Sequence, residues 1–200
     1  MNNRKNKQTL DVFEQAGILR PKDLDSQGIP REYLVRLRKL GLIKKTGRGL
    51  YTKSDMKAGE HYSLAEAAKK VPNGVICLLS ALNFHGLTTE IPFEVWMAID
   101  VKAWMPKSET VPLRIIRFSK ETLSTGIEEH ILEGVKVRIY NPAKTVADCF
   151  KFRNKIGLDV AIESLRECWR QKRCTIDRIW EYAGICRVAN VMRPYLESLE

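Results

Sequence analysis

Residues 29–53 read Ile29-Pro30-Arg31-Glu32-Tyr33-Leu34-Val35-Arg36-Leu37-Arg38-Lys39-Leu40-Gly41-Leu42-Ile43-Lys44-Lys45-Thr46-Gly47-Arg48-Gly49-Leu50-Tyr51-Thr52-Lys53. Proline at the entry and glycine at the exit bound a helix over 29–41. Leu34, Leu37 and Leu40 recur at i, i+3 and i+6 and are expected on its buried side. Arg31, Glu32, Val35, Arg36, Arg38 and Lys39 then face outward. Leu42 to Lys53 reads as two short strands around a glycine-rich turn, in which Gly47 and Gly49 can both take positive φ and Arg48 is pushed out at the tip.

Two helices are expected ahead of this stretch. Lys7 to Ala16 places Leu10, Phe13 and Ala16 on one face with Gly17 as its stop, and Pro21 to Ser26 is acidic in its first turns and ends at Gly28. Three helices followed by a basic hairpin have the order of a winged helix-turn-helix. In that module the last helix lies in the major groove, with its first side chains at base edges and later ones at phosphates. Arg31, Glu32 and Val35 are accordingly candidates for reading bases, and Arg36, Arg38 and Lys39 for touching phosphate. Lys44, Lys45 and Arg48 put further cations on the hairpin, where they suit a minor groove or the flanking backbone.

Charge separates this front end from the rest. The 200 residues carry a net +10; residues 1–57 hold fourteen Lys or Arg against six Asp or Glu, and residues 58–200 hold twenty against eighteen. A basic helix face is ordinarily just solvated. Here the helix spacing, the basic hairpin directly after it and the confinement of net charge to this region favour double-stranded DNA as the partner. A winged helix that binds protein instead would be expected to carry a mostly neutral third helix.

Composition bounds the rest of the reading. With 44% hydrophobic and 8% aromatic residues the chain can bury a core, which excludes disorder throughout. No run approaches the roughly 18 apolar residues of a membrane span, and the start, Met1 to Lys7, is polar with no apolar signal core behind it. A cytoplasmic protein with no membrane association is expected. Cys77, Cys149, Cys168, Cys174 and Cys186 are odd in number, scattered and without a C-x-x-C pair, so they read as small buried hydrophobes rather than a disulfide framework or zinc site. His61, His85 and His130 are too dispersed to form a ligand set, and neither metal nor cofactor is expected.

A polar stretch at 53–60 reads as a linker between a winged helix-turn-helix domain, 1–57, and a second domain, 60–200. Ser63-Leu64-Ala65-Glu66 matches a capping box, opening a helix that Pro72-Asn73-Gly74 ends. Val75 to His85 is apolar, of helical length and closed by Gly86. Phe93–Val101, Leu113–Phe118, Ile127–Ile131 and Val135–Tyr140 read as four strands, the last alternating buried and wet positions after a short link at Gly134. Helices then return at 143–152, 158–171, 176–182 and 188–199, with Asn141 and Pro142 as cap and first position of the first of these. The fold class is therefore α+β: an N-terminal winged helix-turn-helix, then a mixed C-terminal domain with a small sheet and a helical C-terminal half.

Three stretches in order carry a family resemblance: Leu40-Gly41-Leu42-Ile43 with Gly47-Arg48-Gly49-Leu50-Tyr51; Leu78-Leu79-Ser80-Ala81-Leu82-Asn83-Phe84-His85-Gly86-Leu87; and Ile139-Tyr140-Asn141-Pro142-Ala143-Lys144-Thr145-Val146-Ala147-Asp148-Cys149-Phe150. The chain resembles the AbiEi family of antitoxins, transcriptional regulators of bacterial abortive-infection systems that act in phage defence. The resemblance implies a winged helix that binds inverted repeats in its own promoter and represses it. It also implies a carboxy-terminal domain that counteracts a nucleotidyltransferase-like toxin, in a type IV arrangement that needs no stable complex. A stand-alone regulator whose second domain is a protein-interaction module would look much the same. Inverted repeats call for two winged helices, from a dimer or from two monomers side by side, and no heptad seam argues for a constitutive dimer.

Catalytic signatures are absent. No G-x-G-x-x-G, P-loop, H-E-x-x-H or G-x-S-x-G occurs, and Ser80, His85 and Asp148 lack the context of a triad. A metal-dependent nuclease built from Glu94, Asp100, Lys102 and Glu133 is the enzyme alternative, and solvated charges at a strand end are the plainer account. Lys144 and Asp148, four apart on one helix, read as an intrahelical ion pair worth a few tenths of a kcal/mol. A role for them in neutralising a toxin rests on the resemblance alone. A second basic cluster, Lys151, Arg153 and Lys155 with Arg166, Arg170, Lys172 and Arg173, either extends a nucleic-acid footprint or is a solvated helical surface.

Overall fold

A computed structural model describes residues 2–106, 108 and 110–199. Two compact units divide them: the first holds residues 2–72, 108, 110–111 and 130–137, the second 73–106, 112–129 and 138–199. The division after Pro72 lies beyond the polar stretch at 53–60, so the helix that follows that stretch belongs with the first unit. The architecture is α+β, with a two-stranded and a five-stranded sheet among the described residues.

The first unit begins with α1 (Asn2–Ala16), α2 (Pro21–Asp25) and α3 (Glu32–Lys39), then the hairpin β1 (Ile43–Gly47) and β2 (Leu50–Lys53), and α4 (Tyr62–Lys70). Phe13, Leu19, Leu24, Ile29, Tyr33, Leu34, Leu37 and Ile43 make one apolar cluster under the helices. Leu19 joins the hairpin, exchanging backbone hydrogen bonds with Tyr51 at 3.0 and 2.9 Å. Helix α4 starts one residue before Ser63, and no side chain caps it. The expected capping box is absent because Glu66 is drawn inward: its carboxylate, 4% exposed, takes Lys70 Nζ at 3.2 Å and the Thr110 hydroxyl.

The second sheet has the order β5-β4-β3-β7-β6, from β3 (Val75–Ile76), β4 (Val95–Asp100), β5 (Leu113–Phe118), β6 (Ile127–Leu132) and β7 (Val135–Tyr140). Val75 and Ile76 form its central strand, antiparallel to β4 and parallel to β7, where a helix over 75–85 was expected. The helix α5 (Leu78–His85) starts only after Cys77. Both readings share an apolar pattern, which short buried strands do not separate from helix. The Glu133-Gly134 turn joins β6 to β7 with both residues at positive φ. Only glycine fits at 134, since a Cβ there would lie 2.5 Å from the Gln15 carbonyl oxygen.

Helices α6 (Lys120–Ser124), α7 (Pro142–Lys151), α8 (Arg153–Ile156), α9 (Leu158–Arg170), α10 (Ile176–Ile185) and α11 (Ala189–Glu197) complete the second unit. The Asn141 side chain caps α7 by accepting the Lys144 backbone N–H at 2.8 Å, with Pro142 in the first turn as expected. Residues 143–150 of α7 are all buried. Helices α5, α9, α10 and α11 pack against it.

Lys144 and Asp148 form the expected intrahelical pair, but in that buried run, so the weight of a few tenths of a kcal/mol is corrected. Both side chains are 0% exposed and Nζ sits 2.5 Å from Oδ2. The ammonium lies over the rings of Tyr140 and Phe118, 4.2 and 4.9 Å from their centroids, and the Cys186 thiol donates to Asp148 Oδ1 at 3.2 Å. Burial pushes the Asp148 carboxyl up even with Lys144 beside it. Removing one partner strands the other in an apolar interior, so Lys144→Met should cost about 3–5 kcal/mol in urea unfolding. The double variant Lys144→Met/Asp148→Leu should recover most of that loss, because both desolvation costs then disappear.

Candidate nucleic-acid interface

Helix α3 owes its place to Tyr33, Leu34 and Leu37, which are buried against the core of the first unit. Leu40 departs from expectation at 57% exposed. The helix stops at Lys39; Leu40 is its C-cap, Gly41 at φ +70 turns the chain, and Ile43 enters the core instead. The expected outward face is present: Arg31, Glu32, Val35, Arg38 and Lys39 are exposed and Arg36 is half-buried. With Leu40 and Leu42, Val35 leaves an apolar trace among these cations.

Arg31 precedes the first helical residue, at the N-cap, and its guanidinium is engaged. Nε lies 3.0 Å from Asp25 Oδ1 and Nη2 2.5 Å from Oδ2. That pairing holds the Asp25 carboxyl below the usual carboxylate range. Its contribution is complete above the ordinary carboxyl range and disappears as pH falls through the lowered folded value, when Asp25 takes up a proton and frees Arg31. Sequence spacing had no means of revealing Asp25 as the partner, since the contact depends on the turn between α2 and α3.

In the hairpin, Arg48 is exposed at the tip and Gly49 has φ +70. Only Gly49 takes positive φ. Gly47, expected to do the same, instead ends β1 at a bulge and lies close to Thr110, 3.3 Å from where a Cβ would stand to its hydroxyl oxygen. Lys44 and Lys45 are exposed on β1, Lys44 Nζ reaching the Ser54 carbonyl at 3.4 Å. Lys53 pairs with Glu14 at 2.8 Å and with Asp55 at 3.7 Å. Arg36, Arg38, Lys39, Lys45 and Arg48 make no ion pair with the described residues.

A cleft of about 440 Å³ opens between the hairpin tip and the start of α2, lined by Arg20, Pro21, Lys22, Arg31, Arg48, Gly49 and Lys70. Five of its seven lining residues are basic. Arg20 and Lys22 flank Pro21 in the sequence, a signal that could have been read as a basic helix entry, whereas Lys70 arrives on α4 with no local cue. Lys70 is already held by Glu66, Ser108 and Thr110, which leaves Arg20, Lys22 and Arg48 as the less committed cations. A lining of this kind suits an anionic oxygen-rich ligand such as a backbone phosphate.

The second unit keeps its candidate groups apart. Ser80 Oγ accepts the Trp96 backbone N–H at 2.9 Å, His85 Nε2 donates to the Tyr140 carbonyl at 2.7 Å, and Asp148 takes Lys144 and Cys186. Glu94 pairs with Arg114 at 2.8 Å, and Asp100 Oδ1 accepts the Lys102 backbone N–H at 2.8 Å. Glu133, in the β6–β7 turn, belongs to the first unit. Among the described residues no group of three or more His, Cys, Asp and Glu could hold a metal ion. The second basic cluster is largely spoken for: Lys151 and Lys155 lie over the Phe152 ring, Arg153 binds the Phe150 carbonyl, Arg170 pairs with Glu167, and Arg173 binds the His85 carbonyl.

A helix pair, a third helix with an exposed basic face and a basic hairpin with a cation at its tip have the arrangement of a winged-helix module. Residues 7–52 match the family described as transcriptional regulator, AbiEi antitoxin, and over this segment the resemblance read from the sequence holds. The RV2827C protein from Mycobacterium tuberculosis has a similar fold, with TM-score 0.58 and 11% identity over 90% of this chain and 72% of that one. A comparison with curated proteins finds no match. Among the described residues no helix is long and apolar enough to cross a membrane.

The Arg31–Asp25 pair yields a direct expectation. Both side chains are exposed, so Asp25→Ala should leave the unfolding midpoint nearly unchanged at neutral pH. Its affinity for duplex DNA should rise severalfold, because Arg31 no longer has to exchange a carboxylate for its ligand. Fluorescence anisotropy with a labelled duplex measures this; unchanged affinity would mean that Arg31 stays off the DNA.

Proposed function

We propose that the chain is a DNA-binding repressor and antitoxin of a type IV, AbiE-like system. Its winged helix, residues 1–57, binds inverted repeats in the promoter of its own operon, and the remainder counteracts a nucleotidyltransferase-like toxin. The observation that carries the first half is the set of outward cations without ion pairs, Arg36, Arg38, Lys39, Lys45 and Arg48, on α3 and the hairpin. The family match of residues 7–52 supports both halves in outline.

In this reading Glu32 and Val35 stand at base edges, and Arg31 joins them once it leaves Asp25. Arg36, Arg38 and Lys39 meet phosphates along the groove, while Lys44, Lys45 and Arg48 follow the backbone beside it. A phosphate at the Arg20–Lys22–Arg48 cleft extends the same track. With about six cations reaching phosphate, log affinity falls against log salt with a slope near −5. Arg48→Ala flattens that slope by about one unit. Arg31→Ala instead relaxes preference at one base pair by about ten- to a hundredfold. Salt-independent binding would overturn the electrostatic assignment, and equal loss on every sequence would make Arg31 a phosphate contact.

Testing the antitoxin half calls for the full chain, because residues 60–72 and 130–137 belong to the first compact unit and a fragment from residue 60 would divide it. Arg36→Glu/Arg38→Glu/Arg48→Glu should lose operator binding yet still restore growth beside the toxin from the neighbouring gene. Failure to restore growth in a folded triple variant would tie neutralisation to DNA binding.

A second reading, a stand-alone regulator whose second unit binds a protein, is favoured by Phe93 and Trp104. They flank β4 and are 90% and 96% exposed. Bulky aromatic rings left in water suit a partner surface better than solvent. Phe93→Ser/Trp104→Ser should keep operator affinity while abolishing regulation in cells if this reading holds.

A further inference from the structure

Among the exposed residues of α3, Val35 alone carries no charge. Tyr33, Leu34 and Leu37 face the core of the first unit, whereas Val35 is 56% exposed and lies outside that apolar cluster. One helical turn away on the same face stand Arg31 and Glu32 before it and Arg38 and Lys39 after it. Valine is a weaker helix former than the lysine or arginine that would suit a merely solvated site. What it supplies is shape. Branching at Cβ leaves one strongly preferred side-chain rotamer in a helix, so the methyl groups of Val35 are presented in a fixed direction, with neither donor nor acceptor among them. Leu40 and Leu42 are exposed too, yet they follow the last helical residue on either side of the Gly41 turn, off the helix that holds Val35 in register with Arg31 and Glu32.

The base edge that suits such a side chain is chosen by exclusion. In the major groove guanine offers acceptors, adenine an acceptor and a donor, cytosine a donor, and thymine an acceptor and its C5 methyl group. An aliphatic side chain laid on a donor or acceptor takes that group out of water and returns no hydrogen bond, which costs free energy. Laid on the thymine methyl, it buries apolar surface on both partners. We propose that Val35 reads the C5 methyl group of a thymine, so that each half of the operator carries an A·T pair at this point.

This assignment rests on the major-groove placement of α3 proposed for the chain, and it names what that helix selects. Arg31 and Glu32 come four and three residues before Val35. Side chains so spaced on one helix face stand about 5–6 Å apart, against a base-pair rise of about 3.4 Å, so the charged readers fall within about two base pairs of the thymine. The contact leaves no trace in a charge pattern. Taking the methyl groups off the DNA keeps its phosphates and its hydrogen-bonding edges in place, and removes only what Val35 touches.

Deoxyuridine is thymidine without that methyl group. A labelled fragment of the promoter upstream of the chain's own gene is prepared with thymidine and again with deoxyuridine throughout, and the affinity of the full-length protein for each is measured by fluorescence anisotropy. The wild-type chain should bind the deoxyuridine fragment about fourfold more weakly for each half-site engaged, the worth of one buried methyl group. Val35→Ser should bind the two fragments alike; serine and valine have similar helix propensity and the position is exposed, so the variant folds. Replacing thymines one at a time should place the wild-type loss at a single position in each half-site. Equal wild-type binding to both fragments overturns the proposal while leaving α3 on DNA. A loss spread evenly over many thymines overturns it as well, and so does a Val35→Ser protein that still tells the fragments apart, since another group then reads the methyl. If neither fragment is held more tightly than a random duplex, the DNA-reading role of α3 falls and the assignment of Val35 falls with it.

Discussion

The second unit is organised around a charge pair that water never reaches. Lys144 and Asp148 sit one turn apart on α7, in a run of residues that are all buried among the helices packed on it. Two ions removed from water are tolerable only when each finds its complement, and here the complement is complete: carboxylate on ammonium, two aromatic faces under the ammonium, a thiol on the second carboxylate oxygen. Such an arrangement adds little net stability compared with well-packed leucines. It does restrict how Phe118, Tyr140 and Cys186 can be placed, since each has a polar obligation as well as an apolar one.

The first unit uses charge in the opposite way. An apolar cluster lies under its helices, and most of its cations stand outside it. Lys69 and Lys70 are tied to Asp23 and to Glu66, so that α4 is fastened to α2 and to residue 110 by polar contacts, while Arg31 pairs with Asp25 and Lys53 with Glu14. Arg36, Arg38, Lys39, Lys45 and Arg48, without an ion pair among the described residues, are grouped on α3 and the hairpin. The same residue type therefore serves as structure where an acid is built in beside it and, where none is, carries the surface proposed for a polyanion.

Much of this was legible in the chain. Alternation in Val135 to Tyr140 and the β-branched run Leu113 to Phe118 gave strands with the observed ends, and Asn141-Pro142 marked the start of α7 correctly. The exposed face of α3 followed from its apolar spacing, apart from Leu40, which the helix end released. Other features depended on contacts between distant residues. Val75-Ile76 is too short to show a period, and its role as the central strand comes from β4 and β7 on either side. Glu66 looked like a capping residue until Thr110 and Lys70 took it. Lys144 and Asp148 have the spacing of a solvent-facing pair, and only the helices packed around α7 reveal that they are interior. The cleft beside Arg48 joins residues from α2, the hairpin and α4, so no single stretch could announce it.

In the DNA-reading role proposed for it, the pairing of Arg31 with Asp25 would bear on how the protein travels as much as on where it stops. A regulator has to find one site among a great many similar ones, and it does so by moving along DNA on contacts that are made and released quickly. An arginine whose only alternative was bare solvent would cling to each phosphate it met. In the proposed role, a carboxylate of its own chain within reach would give Arg31 somewhere to return after each unsuccessful inspection and would keep the search fast.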